Sequence, residues 1–292
     1  MKTILHSEKK IVTIETDGPF IIIGEKINPT GRKKLAAAIT EGNYDYVRDL
    51  ASRQVETGAD ILDINVGVPG IDEVIVLPQV AQIVSSLLDV PLCIDSANRN
   101  ALIEALKVLP GKPLVNSVNG EEASLSAILP VIKEYKAAVI GLTMDENGIS
   151  NDPEVRLSIA IKILERATRL GIPSEDVIID PLVLTIGADQ EAARVTLTTI
   201  KLVRRELGVN INIGASNVSF GLPDRHSVNQ AFLAIAMSAG ASCAITDPEK
   251  LSPTIKAADL LLGRDEYATS FITNFRQRQK LGLVADVAQI KP

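Results

Sequence analysis

"NINIGASNVSFGLPDR", residues 210–225, is the stretch on which the interpretation of the whole chain depends. Its first half carries two isoleucines and is typical of a short strand buried on both faces. Its second half changes to small hydrogen-bonding residues, Ser216 and Asn217, and the stretch closes with Arg225. A strand built for the interior that ends in a hydroxyl and an amide indicates a sheet edge with a function.

Seven other short apolar runs have the same character, and segments with helical spacing separate them. The eight runs are residues 19–28, 60–67, 91–98, 113–120, 137–145, 176–184, 211–217 and 242–248. They are continuously apolar rather than alternating, as expected for parallel strands covered on both faces. Eight such strands alternating with helices in 292 residues predict an α/β fold, a (β/α)8 TIM barrel.

A doubly wound open sheet is the alternative fold. Such sheets usually carry a G-x-G-x-x-G phosphate loop after the first strand, whereas this chain has "GEKINPTG" at residues 24–31. We expect the barrel to occupy residues 19–280. Residues 1–18 contain the alternating "KKIVTIET", a candidate hairpin that closes the amino-terminal end of the barrel, and residues 281–292 are expected to form a tail.

Composition and charge exclude several classes of function. A net charge of −6 argues against a nucleic-acid-binding surface. No apolar run reaches the length of about 18 residues that a membrane span needs, and the start of the chain does not resemble a signal peptide, so a cytoplasmic protein is expected. The two cysteines, Cys93 and Cys243, lie in apolar runs and are predicted to be buried thiols. With only His6 and His226 as imidazoles, no tightly bound metal is expected.

Nearly every predicted strand ends in a carboxylate, an amide or a hydroxyl. The strand ends of such a barrel meet at one rim, which carries the active site. Turns and helix caps account for single aspartates and asparagines. They do not account for four residues inside an apolar run or at its edge, where an unpaired polar group costs about 1–3 kcal/mol. These four are Asp63, Asp95, Asn116 and Asp180.

The polar groups of this rim are mainly acceptors and amides. A phosphate would call for more lysine, arginine or glycine-rich loops, and a Mg²⁺ or Ca²⁺ site would call for grouped oxygen ligands. A planar heterocycle with several N–H donors and ring acceptors fits the rim better. A pterin and a purine both have that pattern.

The strand-end motifs resemble those of the pterin-binding methyltransferases that transfer a methyl group from methyltetrahydrofolate to the cobalt of a corrinoid protein. The same superfamily includes the folate domain of cobalamin-dependent methionine synthase and dihydropteroate synthase. The resemblance covers roughly residues 19–280, and its motifs follow one another on successive strand ends. They are "GEKIN", "LDINVG", "CIDSAN", "NSVNGE", "IGLTMDENGI", "IDPLVL" and "GASNVSFGLPDR".

The resemblance implies roles for individual residues. Asn217 would be catalytic, with its amide near N5 of the folate. Methyltetrahydrofolate would be the substrate, and the cobalamin would be carried by a partner corrinoid protein. The resemblance also implies a homodimer. The implied folate-binding residues are Asp63, Asn65, Asp95, Asn116, Asp180, Gly214, Ser216 and Arg225, with Glu25, Asn119 and Thr143 as further rim positions.

The chemistry agrees with this set of residues. A methyl group on a tertiary amine leaves readily only when N5 gains positive character, and Co(I) of the partner supplies the nucleophile. A neutral amide at N5 therefore suffices as a preorganised dipole, without a catalytic His or Cys. Dihydropteroate synthase is the rival enzyme, but it needs a lysine and an Arg–His pair where this chain has "GASN" and "TDPEKLSP". A folate-binding module without catalysis is the third alternative.

Overall fold

The computed structural model describes residues 1–284 and confirms the predicted barrel. A two-stranded antiparallel hairpin, β1 (Lys2–His6) and β2 (Ile11–Glu15), precedes eight parallel strands. Around the barrel, the order is β8-β7-β6-β5-β4-β3-β10-β9, and a bridge between Ile179 and Ile211 joins the two ends. The barrel strands are β3 (Ile21–Ile27), β4 (Ile61–Ile64), β5 (Leu92–Asp95), β6 (Leu114–Asn119), β7 (Ala138–Leu142), β8 (Val177–Asp180), β9 (Asn212–Gly214) and β10 (Cys243–Thr246).

Helices form an outer layer around these strands. Several begin with an aspartate or asparagine cap: the Asp152 side chain, for example, accepts from the backbone N–H of Glu154, and Pro153 follows at the first turn. The helices are α1 (Lys33–Thr40), α2 (Asp45–Glu56), α3 (Glu73–Leu87), α4 (Arg99–Val108), α5 (Glu122–Tyr135), α6 (Pro153–Arg169), α7 (Ala192–Leu207), α8 (Arg225–Ala239), α9 (Pro248–Leu261) and α10 (Thr269–Lys280).

The strands are apolar on both faces because they serve two separate hydrophobic cores. Outward-facing residues such as Ile22 and Leu62 pack under the helices in the larger core. Inward-facing residues such as Ile23, Ile61 and Cys93 form a smaller core inside the barrel. Side chains alternate between these two cores along each strand. The alternation of inward and outward side chains is therefore not visible as a hydrophobic pattern in the sequence, since both sets are apolar.

Along these strands the inward-facing side chains change from apolar to polar towards the carboxyl end, and this change positions the site. In β4 the inward residue Ile61 is followed by Asp63, and Asn65 comes next, just past the strand end. In β8 the inward residue Ile178 is followed by Asp180. The amino-terminal half of the barrel is thus filled with hydrocarbon, and polar groups occupy the carboxyl end.

The hairpin β1–β2 covers the amino-terminal end of the barrel. Leu5, Val12 and Ile14 belong to the inner core. The buried Asn210 amide donates to the Thr3 hydroxyl at 2.9 Å and to the Ile14 carbonyl at 2.8 Å. These contacts seal the end of the barrel opposite the polar rim.

At the other terminus, the expected tail begins directly after α10, but residues 285–292 lie outside the described part of the chain. In the part that is described, none of the helices has the length and apolar character needed to span a membrane.

Candidate active site

Three carboxylates at the carboxyl rim each accept a hydrogen bond from an amide on another strand. The Asn212 amide was not predicted from the sequence, because Asn212 lies within the apolar run of β9. We call the six residues the acid–amide cluster. The donor–acceptor pairs are Asn65 Nδ2 to Asp95 Oδ2 (3.0 Å), Asn116 Nδ2 to Asp63 Oδ1 (3.4 Å) and Asn212 Nδ2 to Asp180 Oδ2 (2.7 Å).

The carboxyls of Asp63 and Asp95 lie near each other and form no ion pair with a cation among residues 1–284. Burial raises the pKa of Asp63 well above its usual range, and the neighbouring Asp95 raises it further, although the Cys93 thiol donates a hydrogen bond that opposes the shift. Burial also raises the pKa of Asp95, against the opposing hydrogen bond from Asn65. A ligand that brings an N–H donor to the Asp95 carboxyl offsets its desolvation.

Asp180 is held by a tight turn at the end of β8. Burial raises the pKa of its carboxyl to about 6, and the hydrogen bonds from the Leu182 N–H and from Asn212 oppose the shift. Leu182 lies in the left-handed region with φ of 61°, which a leucine rarely adopts. Its N–H donates to Asp180 Oδ1 at 2.8 Å. Each carboxyl oxygen of Asp180 thus accepts one hydrogen bond from the protein and keeps a further lone pair that a ligand can use.

The guanidinium of Arg156, which is fully buried on α6, fixes this turn from behind. Its Nη1 donates to the carbonyls of Pro181 at 2.7 Å and Leu182 at 2.9 Å, and its Nε donates to the Ser150 carbonyl at 2.6 Å. Its positive charge also opposes the rise that burial causes in the pKa of Asp180. This role could not be predicted from the sequence, since an arginine in the first turn of a helix is usually a surface residue.

We expect Arg156→Met to lower the free energy of unfolding by about 2 kcal/mol, because it leaves buried carbonyls without donors. Urea denaturation measures this loss. Arg169→Met on the same helix is the control: Arg169 is largely exposed and pairs only with Glu165, so a small change is expected there. Equal stabilities of the two variants would contradict the role assigned to Arg156.

Asn217 differs from the cluster because its side chain is exposed at the barrel mouth. It ends the short 3₁₀ turn Ala215–Asn217 after β9, and its side-chain amide makes no hydrogen bond to any residue in 1–284. A Cβ placed on Gly214 would lie 3.0 Å from Asn217 Nδ2, so the amide lies close above the glycine. The absence of a side chain at Gly214 leaves room for this amide and for a flat ligand beside it.

Ser216 and Arg225 stand next to this amide. The Ser216 hydroxyl donates to Glu25 Oε2 at 3.0 Å, which links β3 to the turn after β9. Arg225 donates from Nη2 to the Ser216 carbonyl at 2.7 Å and from Nε to the Ser219 hydroxyl at 3.1 Å. Both residues therefore shape the turn that presents Asn217.

The loops that follow β8 and β9 are joined to each other above the rim. The Ile186 N–H donates to the Val218 carbonyl at 3.0 Å, and the Thr185 hydroxyl donates to the Phe220 carbonyl at 2.7 Å. The acid Asp180 and the amide Asn217 thus belong to one connected pair of loops.

The remaining predicted rim residues have different surroundings. Asn119 lines a cavity of about 450 Å³ together with Asp95, Asn116 and Leu142, and its side chain accepts from the Glu121 N–H at 2.9 Å. The Thr143 hydroxyl is buried without a hydrogen-bond partner among the described residues. A larger cavity of about 620 Å³ lies beside Lys112 at the amino-terminal end of the barrel. We place the site at the rim because that end carries the chemistry in these barrels.

Comparison with known proteins identifies a matching family. Residues 24–247 match the family model described as pterin binding enzyme. The methylcorrinoid:tetrahydrofolate methyltransferase of Eubacterium limosum is 32% identical over 266 residues, which cover 88% of this chain and 96% of that protein. The methionine synthase of Mycobacterium tuberculosis is 31% identical over 250 residues, but these residues span only 21% of its length.

Solved structures show the same fold. Dihydropteroate synthase of Xanthomonas albilineans with 4-aminobenzoic acid superposes with a TM-score of 0.67 at 19% identity, covering 90% of this chain and 98% of that one. The Yersinia pestis enzyme of the same name gives a TM-score of 0.68 at 17% identity, over 90% of this chain and all of that one. At these identities the likeness concerns the fold alone.

Proposed function

The chain belongs to the pterin binding enzyme family, and from this premise we propose that it is a methyltransferase acting between N5 of methyltetrahydrofolate and the cobalt of a corrinoid carried by another protein. The acid–amide cluster beside the free Asn217 amide is the observation that carries the proposal. The likeness to the Eubacterium limosum methyltransferase over nearly its whole length supports it.

In this proposal the pterin ring lies on the acid–amide cluster. The ring's 2-amino group and N3–H donate to carboxylates, and Asp95 and Asp180 offer them lone pairs that amides from other strands do not use. Asp63 is 2% exposed and accepts from Asn116, so it orients Asn116 from below rather than contacting the ring. Binding of the pterin is favoured because its N–H groups give the buried carboxyls of Asp95 and Asp180 further hydrogen-bond donors.

The transfer needs little from the protein at the methyl group itself. Written as a balance, methyl–N5 of the folate, Co(I) and one proton give N5–H and methyl–Co(III), and the reverse equation describes methylation of the folate. The cobalt is a substrate here and belongs to the partner. The side-chain amide of Asn217 orients a dipole at N5, where charge develops. The missing side chain at Gly214 leaves room for the ring to lie beside this amide.

Incubating the protein with methyltetrahydrofolate and free Co(I) cobalamin tests the proposal. We expect the absorption spectrum of methylcob(III)alamin to grow with time, in proportion to enzyme concentration. Folate binding without this spectrum would support a binding module instead. Condensation of a pterin pyrophosphate with 4-aminobenzoate would support the dihydropteroate synthase alternative. We also propose that the protein is cytoplasmic and forms a homodimer. Analytical ultracentrifugation measures the number of subunits.

A further inference from the structure

The side of the barrel mouth formed by the segments that follow β3, β9 and β10 holds a group of cations, although the chain as a whole carries a net charge of −6. We call it the cationic sector, defined by Lys26, Arg32, Arg225 and Lys250. We propose that it binds the carboxylates of the folate's glutamate tail, so that the preferred substrate is a folate with several γ-linked glutamates. This inference rests on the proposed function.

The proposed orientation of the pterin directs the glutamate tail towards the cationic sector. The cluster carboxylates are on β4, β5 and β8, and Asn217 follows β9. In the pterin ring N5 is bonded to C6, the carbon that carries the p-aminobenzoyl-glutamate tail. With N5 near Asn217, the tail leaves the ring on that side. The strands next to β9 in that direction are β10 and then β3, and the cationic sector lies there.

A concave surface is ready at this place. A cavity of about 230 Å³ is lined by all four cations of the sector and by His226. It contains only two carboxylates, Glu25 and Asp247, so positive charge predominates. Its walls include Ser216, which also neighbours Asn217 in the chain, so the cavity is continuous with the turn at the proposed N5 position.

The cations are only partly neutralised by the protein. Lys26 donates to Asp247 at 2.5 Å, but Arg32 stands 3.7 Å from Glu25, which is a loose contact. Lys250 is exposed and has no ion-pair partner within residues 1–284. The hydrogen bonds of Arg225 go to neutral oxygens, and its guanidinium lies 5.5 Å from the centroid of the Phe220 ring, so it has no carboxylate partner among residues 1–284. Carboxylates of a ligand supply the missing partners.

Calorimetry with three ligands tests the inference. These are 6-methyltetrahydropterin, which lacks the tail, and the mono- and triglutamate forms of methyltetrahydrofolate. Each exposed ion pair changes an affinity by about two- to fivefold, so we expect the triglutamate to bind about 5- to 20-fold more tightly than the monoglutamate. This ratio should fall towards one as salt is raised from about 0.05 to 0.5 M, since salt screens exposed charges.

Variants locate the effect. Lys250→Gln and Arg32→Gln should each lower the triglutamate-to-monoglutamate affinity ratio at least twofold. Lys201→Gln, on the outer surface of α7 and unpaired in the described chain, is the matched control and should leave the ratio unchanged. Equal affinities for the two folates in the unmodified protein would overturn the inference but not the proposed function. Failure to bind any of the three ligands would overturn the proposed function instead.

A docking surface for an acidic partner protein is the competing explanation of these cations. In that case Lys250→Gln would slow methyl transfer with a corrinoid protein while the affinity ratio of the two folates stayed at one. That result would also overturn the inference.

Discussion

Replacing Asn217 with alanine is expected to lower kcat about 10²-fold or more, which is the usual effect of removing one preorganised donor aimed at developing charge. The amide makes no hydrogen bond to other residues of the described chain, and its side chain is exposed. We therefore expect the substitution to leave the fold intact. Single-turnover formation of methylcob(III)alamin measures the change directly.

Stability and binding separate this effect from a structural one. The melting temperature of Asn217→Ala should equal that of the unmodified protein, and its affinity for methyltetrahydrofolate should change by less than about threefold, since the acid–amide cluster is intact. Asn100→Ala, at an exposed position in the first turn of α4, is the matched control and should keep full turnover. Near-normal kcat in Asn217→Ala would sink the catalytic role assigned here.

The second large effect concerns the acids of the cluster. Asp95→Asn and Asp180→Asn should each weaken methyltetrahydrofolate binding by about 10- to 100-fold, because each removes a charge-assisted hydrogen bond worth about 1.5–3 kcal/mol. Asp60→Asn is the control: this carboxylate also has a raised pKa through burial, but it lies just before β4, at the opposite end of the barrel. Unchanged affinity in both cluster variants would show that the pterin pocket is misplaced.

Asp180→Asn should also change stability, with a sign set by its pKa. Burial raises that pKa from an ordinary value of 3.8 to about 6. The stabilising contribution of the protonated carboxyl is complete below pH 3.8 and is lost as the pH rises through 6. The stability of Asp180→Asn relative to the unmodified protein should therefore rise by about 1–2 kcal/mol between pH 4 and pH 7.5, because the amide does not titrate. Urea denaturation of both proteins at the two pH values measures this change.

The barrel could be predicted because each of its strands is a separate apolar run. Strand ends were harder to place: the run 176–184 shrinks to Val177–Asp180, and the run 211–217 shrinks to Asn212–Gly214. The chain leaves the sheet at Asp180 in β8 and at Gly214 in β9, while apolar side chains such as Val183 and Val218 continue into the loops that follow. Hydrophobicity alone does not distinguish a strand residue from such a loop residue.

The candidate site was predictable wherever a polar residue interrupts an apolar run at a strand end. The structure brings the predicted acids and amides of the cluster to one rim, and their roles toward folate stay predictions. Asn212 and Arg156 were missed for different reasons. Asn212 is a buried amide two positions before Gly214, on the inward column, and that spacing was the available signal. The contacts of Arg156 are made to backbone carbonyls remote in sequence, which no residue pattern encodes.

The hydrogen bonds between the loops after β8 and β9 have a consequence for the exchange of parts between related enzymes. Thr185 and Ile186 on one loop are bonded to Phe220 and Val218 on the other. A chimera that takes only one loop from a relative is expected to disturb these bonds, and with them the positions of Asp180 and Asn217. We therefore expect the segment from Asp180 to Arg225 to be exchanged between relatives as one unit when activity is preserved.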